Sequence, residues 1–177
     1  GFEESYGFLG GTFVRDKDAA MATVLLAEAA CCYARRGMSL FDALTELYKK
    51  YGFVREEVLS LTRGGQEGMA QIARAVASLR AQPIRELAGH VFATAADYEA
   101  GVSTHLATGL TSPIRLPRSN VLSYSFPGGR LVIRPSGTEP KLKAYLAVEG
   151  KDAADARAQA GALRAAVEEL LTARMQG

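Results

Sequence analysis

The sequence contains few of the residues that characterise disulfide-bonded and zinc-binding proteins. Only two cysteines and two histidines occur among its 177 residues. Cys31 and Cys32 are adjacent in a helical pattern, where neighbours point about 100° apart, so a disulfide between them would need strained geometry. We therefore expect two buried free thiols in a reducing compartment. With His90 and His105 as the only histidines, no cysteine and histidine cluster has zinc-site spacing.

A strong charge of one sign and a long apolar run are also lacking. Lysine and arginine total 21 and aspartate and glutamate total 19, a net charge of +2 that gives no reason to expect nucleic acid or an anionic membrane as a partner. The longest apolar stretch, around residues 19–27, is broken by Glu28 and is too short to span a bilayer. No signal peptide follows Gly1, and the missing initial Met leads us to expect a piece of a longer, cytoplasmic protein.

Two helices are predicted within residues 1–51, after a glycine-rich loop. Asp16 or Asp18 can cap the first helix, and Gly37 stands where a left-handed cap is expected to end it. Ser39 begins the second helix, with Asp42 three residues on as a partner similar to a capping box. Residues 1–51 look like the end of a domain whose sheet strands are missing from this sequence.

The remainder predicts an α+β unit. Apolar residues interspersed with charges over 52–63 predict a connecting strand, and a helix follows Gly64 and Gly65. Strands are predicted over 121–126, 130–134 and 141–149, weakly over 90–98, and a last helix from Asp152 has its apolar stripe at Ala156, Ala160, Leu163, Val167 and Leu170. Residues 99–120, with several Gly, Pro, Ser and Thr, predict a long loop. Residues 64–177 are expected to form this unit.

The strongest chemical signal is the segment RPSGTEPKLK at residues 134–143, between two predicted strands. Arg134 offers a planar fork of donors that matches phosphate oxygens, and Gly137 permits a left-handed turn that aims backbone N–H groups into an anion nest. Hydroxyl donors and further positive charge come from Ser136, Thr138, Lys141 and Lys143. The alternative is a hairpin loop with solvated basic residues, because Ser, Gly, Thr and Pro are common in turns.

A second signal is the segment GFEESYG at residues 1–7. In an extended loop Glu3 and Ser5 point to one side, where a carboxylate and a hydroxyl can hold the vicinal hydroxyls of a sugar. The alternative is a polar chain end without a role. In the segment RDKD at residues 15–18, Lys17 is the residue that helix capping does not explain.

The two segments together resemble the α-D-phosphohexomutase superfamily, which includes phosphoglucomutases and phosphomannomutases. GFEESYG resembles the family's sugar-binding loop, and RPSGTEP resembles its phosphate-binding loop. Their order and the helix pair that follows the first also match, so the resemblance covers essentially the whole chain. It is closest in form to the bacterial phosphoglucomutase branch.

The resemblance implies an enzyme of four domains that moves a phosphoryl group between O1 and O6 of a hexose phosphate. A phosphoserine on the first domain exchanges the group through a bisphosphorylated intermediate, and an aspartate-rich loop on the second holds Mg²⁺. This chain would supply residues 1–51 as the C-terminal part of domain 3, residues 52–63 as a connection, and residues 64–177 as domain 4. It lacks the phosphoserine and metal loops, so its partners would be the missing N-terminal domains, and we expect no mutase activity from it alone.

Residue roles follow by motif from the same resemblance. Glu3 and Ser5 would hold the sugar O3 and O4 hydroxyls, and Lys17 would lie near the reacting end as a candidate acid or base. The phosphate that is not reacting would be bound by Arg134, Ser136, Gly137 and Thr138, with Lys143 as basic supplement. No metal ligand is expected in this chain. The alternatives are a phosphomannomutase, a phosphoglucosamine mutase, a phosphopentomutase, or a stand-alone phosphosugar-binding module.

Overall fold

The computed structural model describes residues 1–3, 7–13 and 15–176. The chain divides into two compact units, Gly1–Tyr51 and Gly52–Gly177. The helices are α1 (Ala19–Ala34), α2 (Leu40–Tyr51), α3 (Gly65–Ala81) and α4 (Ala153–Gln176). The strands are β1 (Phe2–Glu3), β2 (Gly7–Phe8), β3 (Phe53–Thr62), β4 (Glu86–Leu87), β5 (His90–Val91), β6 (Thr94–Asp97), β7 (Val102–His105), β8 (Thr111–Pro113), β9 (Leu122–Phe126), β10 (Gly129–Pro135) and β11 (Lys141–Gly150).

The helix ends of the first unit follow the sequence signals. The Asp18 carboxylate accepts hydrogen bonds from the amides of Ala20 and Met21 and so caps α1, while Gly37 adopts φ +71° after its end. Ser39 and Asp42 form the expected capping box before α2, because the Asp42 carboxylate accepts from the Ser39 amide at 2.8 Å and the Ser39 hydroxyl accepts from the Asp42 amide at 3.1 Å.

The apolar surface of α1 is exposed, which overturns one expectation. No residue of α1 is buried, and Val24 and Leu26 are more than half exposed. Cys31 and Cys32 are free, as predicted, but they are exposed rather than buried. The prediction of burial was wrong. An apolar helix pattern indicates that one face of the helix favours burial, but it does not indicate which other element would cover that face.

Seven antiparallel strands form the sheet of the second unit, in the order β3-β11-β10-β9-β6-β7-β8. The strand predicted within 52–63 pairs with β11 over its whole length, from Phe53 opposite Gly150 to Thr62 opposite Lys141. It therefore lies inside the second compact unit, as one edge of its sheet. The sheet is larger than the three or four strands expected, while the α+β class is confirmed.

The prediction of a long loop over residues 99–120 was wrong. It contains β7 and β8, which pair with each other, and β7 also pairs with β6. Gly101 and Gly109 adopt φ +67° and +73° in the turns that flank β7. Short strands made of small and hydroxyl side chains carry little apolar periodicity, so their pairing with the neighbouring sheet decides their structure.

The core lies between the sheet and the helices α3 and α4. Alternate strand residues such as Leu131, Ile133 and Leu146 are buried on this face. In α4 four of the five predicted stripe positions are buried, but Leu171 rather than Leu170 continues the stripe, since it lies four residues after Val167. No helix in the described ranges is long and apolar enough to cross a membrane.

A candidate phosphate-binding hairpin

The segment that resembles a phosphate-binding loop connects β10 to β11. Antiparallel pairing places Arg134 opposite Lys143, and Pro135 opposite Leu142, directly before the loop begins. The Ser136 amide donates to the Lys141 carbonyl at 2.8 Å and so closes the loop. The hairpin therefore brings the five predicted phosphate ligands to one end of the sheet: Arg134, Ser136, Gly137, Thr138 and Lys143.

The Ser136 hydroxyl organises the amides at the tip of this loop. Its oxygen accepts from the amide of Glu139 at 3.2 Å and from the amide of Thr138 at 3.4 Å. Two successive backbone N–H groups thus donate to one side-chain oxygen atom, which stabilises the turn at the tip of the loop.

Gly137 does not adopt the left-handed conformation that the sequence led us to expect. Its φ is not among the positive values of the described glycines, and a Cβ built on it would meet no atom within 4 Å. Neither backbone conformation nor internal packing therefore requires glycine here.

The basic side chains lie on the sheet face opposite the helices. Buried Leu142 and Ala144 alternate with Lys141 and Lys143, which confirms that the two lysines share a face. The Lys141 ammonium lies 3.7 Å from the Glu139 carboxylate, and the Lys143 ammonium lies 5.8 Å from the centre of the Tyr145 ring. The end of the sheet beside the loop is therefore rich in positive charge.

The other predicted site residues belong to the first unit or lie outside the described residues. Glu3 lies in β1, where its backbone pairs with Gly7 of β2, and Ser5 lies outside the described residues. Lys17 is exposed beside the N-terminus of α1, with its ammonium 3.5 Å from the Asp16 carboxylate. The hydrogen bond from the Lys17 amide at 2.7 Å, together with the charge of Lys17, holds the pKa of Asp16 below its usual value.

Sequence reasoning missed a polar network beside the loop. Arg80 of α3 donates to the Asp97 carboxylate at 3.1 Å and to the Asn120 side-chain oxygen at 2.7 Å. Arg80 and Asn120 line a cleft of about 270 Å³ that also reaches Pro135 and Glu139 of the hairpin. The residues of this network lie far apart in sequence, so local pattern carried no signal for them.

No group of three or more histidine, cysteine, aspartate or glutamate side chains within residues 1–3, 7–13 and 15–176 is arranged to hold a metal ion. The described residues therefore do not fit a Mg²⁺ site.

Comparison with known proteins identifies the family. The family model for the phosphoglucomutase/phosphomannomutase C-terminal domain matches residues 67–166, and the model for alpha/beta/alpha domain III of the same family matches residues 1–51. The matched parts contain the hairpin and the first unit, respectively. The chain belongs to the phosphoglucomutase/phosphomannomutase family and corresponds to a C-terminal portion of its members.

Relatives from two staphylococci are similar to the chain over most of its length. A phosphoglucomutase of Staphylococcus epidermidis is 36% identical and one of Staphylococcus aureus is 38% identical, each over 148 residues. Each match covers 84% of this chain and 27% of the relative, so the chain spans about a quarter of these proteins.

A solved structure shares the fold. It is the open form of the exocytosis-sensitive phosphoprotein parafusin, a phosphoglucomutase from Paramecium, with a TM-score of 0.55 and 15% identity. The match covers 98% of this chain and 29% of that chain.

Proposed function

We propose that this chain is the sugar- and phosphate-binding portion of an enzyme that interconverts glucose 1-phosphate and glucose 6-phosphate. The reaction would proceed through a phosphoserine and a bisphosphorylated sugar, both dependent on domains N-terminal to Gly1. Those domains would also hold Mg²⁺, which would stabilise the charge of the transferred phosphoryl group. The whole enzyme would be an intramolecular phosphotransferase of carbohydrate metabolism in the cytoplasm.

The observation that carries this proposal is the hairpin between β10 and β11. Arg134 and Lys143 lie opposite each other, the amides of Thr138 and Glu139 converge, and Gly137 leaves open space. A guanidinium that donates two parallel hydrogen bonds, a second basic side chain and an open glycine would cradle a phosphate dianion. A clamp on the phosphate that is not reacting would fix the substrate while the other end meets the phosphoserine.

The first unit would contribute the sugar-binding part. Glu3 and Ser5 would bind two sugar hydroxyls, and Lys17 would act near the reacting oxygen as acid, base or positive charge. Residues 1–51 would then be the end of domain 3 and residues 64–177 domain 4, and the connection 52–63 would contribute β3 to the edge of the domain 4 sheet. The names of the staphylococcal relatives favour glucose over mannose as the sugar.

Titration of the ¹⁵N-labelled 177-residue chain with inorganic phosphate tests the clamp. We expect the amides of Ser136–Glu139 to shift most. Arg134→Gln should weaken binding about tenfold or more, since a hydrogen bond to a charged group contributes roughly 1.5–3 kcal/mol. Arg130→Gln is the matched control, because Arg130 is exposed on the same face of the same strand, and it should bind within about twofold of the unaltered chain.

Gly137→Ala separates binding from folding. The added methyl group meets no protein atom, so thermal stability should be unchanged, while phosphate binding should be lost if the group approaches Gly137 closely. If both Gly137→Ala and Arg134→Gln bind phosphate with the same affinity as the unaltered chain, the proposed clamp is contradicted.

The isolated chain should not convert glucose 1-phosphate. Turnover by it would contradict the assignment of the chemistry to the missing domains.

A further inference from the structure

A single arginine of α3 holds two distant segments of the second unit together. Arg80 stands one residue before the end of α3, and its side chain is 26% exposed. Its Nε donates to the Asp97 carboxylate at 3.1 Å, and its Nη2 donates to the Asn120 side-chain oxygen at 2.7 Å. The guanidinium also forms an ion pair with the Glu99 carboxylate. Partners that lie far from it in sequence thus hold one half-buried side chain in place.

The carboxylate of Asp97 also fixes the turn after β6. Its second oxygen accepts from the amides of Glu99 and Ala100 at 3.0 and 3.3 Å, as in an Asx turn. This turn is tied to the segment before β9, because the Tyr98 amide donates to the Val121 carbonyl at 3.0 Å. The turn and that segment therefore form one hydrogen-bonded structure, which the arginine attaches to α3.

The segment before β9 adjoins the base of the phosphate-binding hairpin. The ladder between β9 and β10 ends at the pair Leu122 and Ile133. Asn120 lies two residues before this pair and Pro135 lies two residues after it, so continued antiparallel register places them side by side. Both line one cleft together with Ser136. The side chain that the arginine holds is therefore next to the residues with which the hairpin begins.

The charges around Arg80 distinguish it from Arg134. The Arg80 guanidinium faces the carboxylates of Asp97 and Glu99, so this group of side chains carries a net negative charge. A phosphate would be repelled here, because like charges at short distance disfavour each other. Arg134, in contrast, lies opposite the basic Lys143. Arg80 is thus suited to holding protein groups, whereas Arg134 is suited to binding an anion.

We propose that Arg80 is a positioning residue of the phosphate clamp and that it acts on the hairpin through Asn120. Without the guanidinium, Asn120 loses the donor that fixes its side chain, and the segment before β9 no longer supports the base of the hairpin. Arg134 and the Ser136–Glu139 loop then sample more orientations, which lowers the affinity for phosphate. The inference rests on the proposed phosphate clamp and adds residues that do not themselves touch the phosphate.

Phosphate titrations of variants of the 177-residue chain test the proposal. Arg80→Lys keeps the positive charge but lacks the planar fork that reaches several acceptors, and Asn120→Ala changes no charge. Each should weaken phosphate binding about threefold to tenfold, as expected for residues that do not contact the ligand. The double variant should lose no more than the larger single loss, because both substitutions break the same link.

Two further measurements separate positioning from a general loss of stability. Both single variants should shift the amide signals of Ser136–Glu139 in ¹H–¹⁵N spectra before phosphate is added. Arg74→Lys is the matched control, because Arg74 is also on α3 but donates to the Met175 carbonyl of α4, at 3.4 Å. It should bind phosphate within about twofold of the unaltered chain, since its hydrogen bond does not lead to the hairpin.

The outcomes distinguish this inference from the proposed function. Unchanged phosphate affinity in Arg80→Lys and Asn120→Ala, with lower stability in urea unfolding, would show that the network only stabilises the fold. Additive losses in the double variant would indicate two independent effects and would also overturn the proposal. Asn120 is exposed, so its variant retains the fold and gives the test even if the Arg80 variant unfolds. Absence of phosphate binding in the unaltered chain would instead overturn the proposed function, and this inference with it.

Discussion

Tyr124 shows how one buried polar group links stability to pH. Its ring is 1% exposed, makes edge contact with Phe92, and its hydroxyl donates to the Leu79 carbonyl at 3.3 Å. Burial disfavours the charged phenolate and raises the pKa of Tyr124 from 10.0 to about 12. Because the folded pKa lies above the unfolded one, the stabilisation is complete below pH 10 and is lost as the pH rises from 10 towards 12.

We expect Tyr124→Phe to remove this alkaline sensitivity. At pH 7 the variant should lose about 1 kcal/mol, the contribution of one hydrogen bond. Between pH 7 and pH 11 the unaltered chain should lose about 1.4 kcal/mol more than the variant, which is half of the full loss expected from a pKa difference of about two units. Urea unfolding of both proteins at pH 7, 10 and 11 measures the difference, and parallel losses in both would show that the Tyr124 pKa is not raised.

Gly137 illustrates how the structure changes the interpretation of a single residue of the hairpin. The sequence suggested that glycine serves a left-handed turn, yet the described conformation does not need it, and a Cβ at this position would meet no atom within 4 Å.

At the scale of elements, the contact between β11 and α4 depends on a glycine. A Cβ on Gly150 would lie 2.6 Å from the Cα of Ala156, where neither backbone can easily move. Gly150 ends β11, and α4 begins three residues later, so this close approach sets the turn from strand to helix. A side chain here would separate the helix from the sheet that it covers.

We expect Gly150→Ala to lower the free energy of unfolding by about 1–3 kcal/mol, the usual cost of overpacking. Gly161→Ala is the matched control, because Gly161 lies within α4 with open space around it and should stabilise the helix by roughly 0.5–1 kcal/mol. Thermal unfolding of the two variants measures both effects. If Gly150→Ala proves as stable as Gly161→Ala, the turn does not depend on this approach.

At the scale of the whole molecule, the two units differ in how much apolar surface they bury. The core comprises strand and helix residues of 52–177, such as Leu79, Leu131 and Leu163. In the first unit α1 buries no residue and α2 buries only Ala43. Since apolar burial is the main stabilising contribution to folding, the first unit should open far more readily than the second.

Hydrogen–deuterium exchange of the intact chain tests this difference. We expect amides of α1 and α2 to exchange within the shortest labelling times, while amides of β9, β10 and β11 exchange only with global unfolding. Leu163→Ala, which removes a fully buried side chain, should accelerate exchange in the second unit without changing the first. Equal protection of both units would show that the first is stabilised by contacts beyond those described.

The sequence by itself determined the features that depend on neighbours along the chain. The Asp18 cap, the Ser39–Asp42 capping box, the α4 stripe and the lysine alternation all follow from periods of 3.6 or 2 residues and from local hydrogen bonds. The two motifs and their order also sufficed for the family.

Only the tertiary structure decided the features that depend on pairing across long sequence separations. Strand register placed β3 and the residues of 99–120 in the sheet, and it placed Lys143 opposite Arg134. The packing of the first unit leaves Cys31 and Cys32 exposed, although their helix is apolar. A local pattern states which faces of an element favour burial, whereas which elements meet depends on the free energy of the whole packed chain.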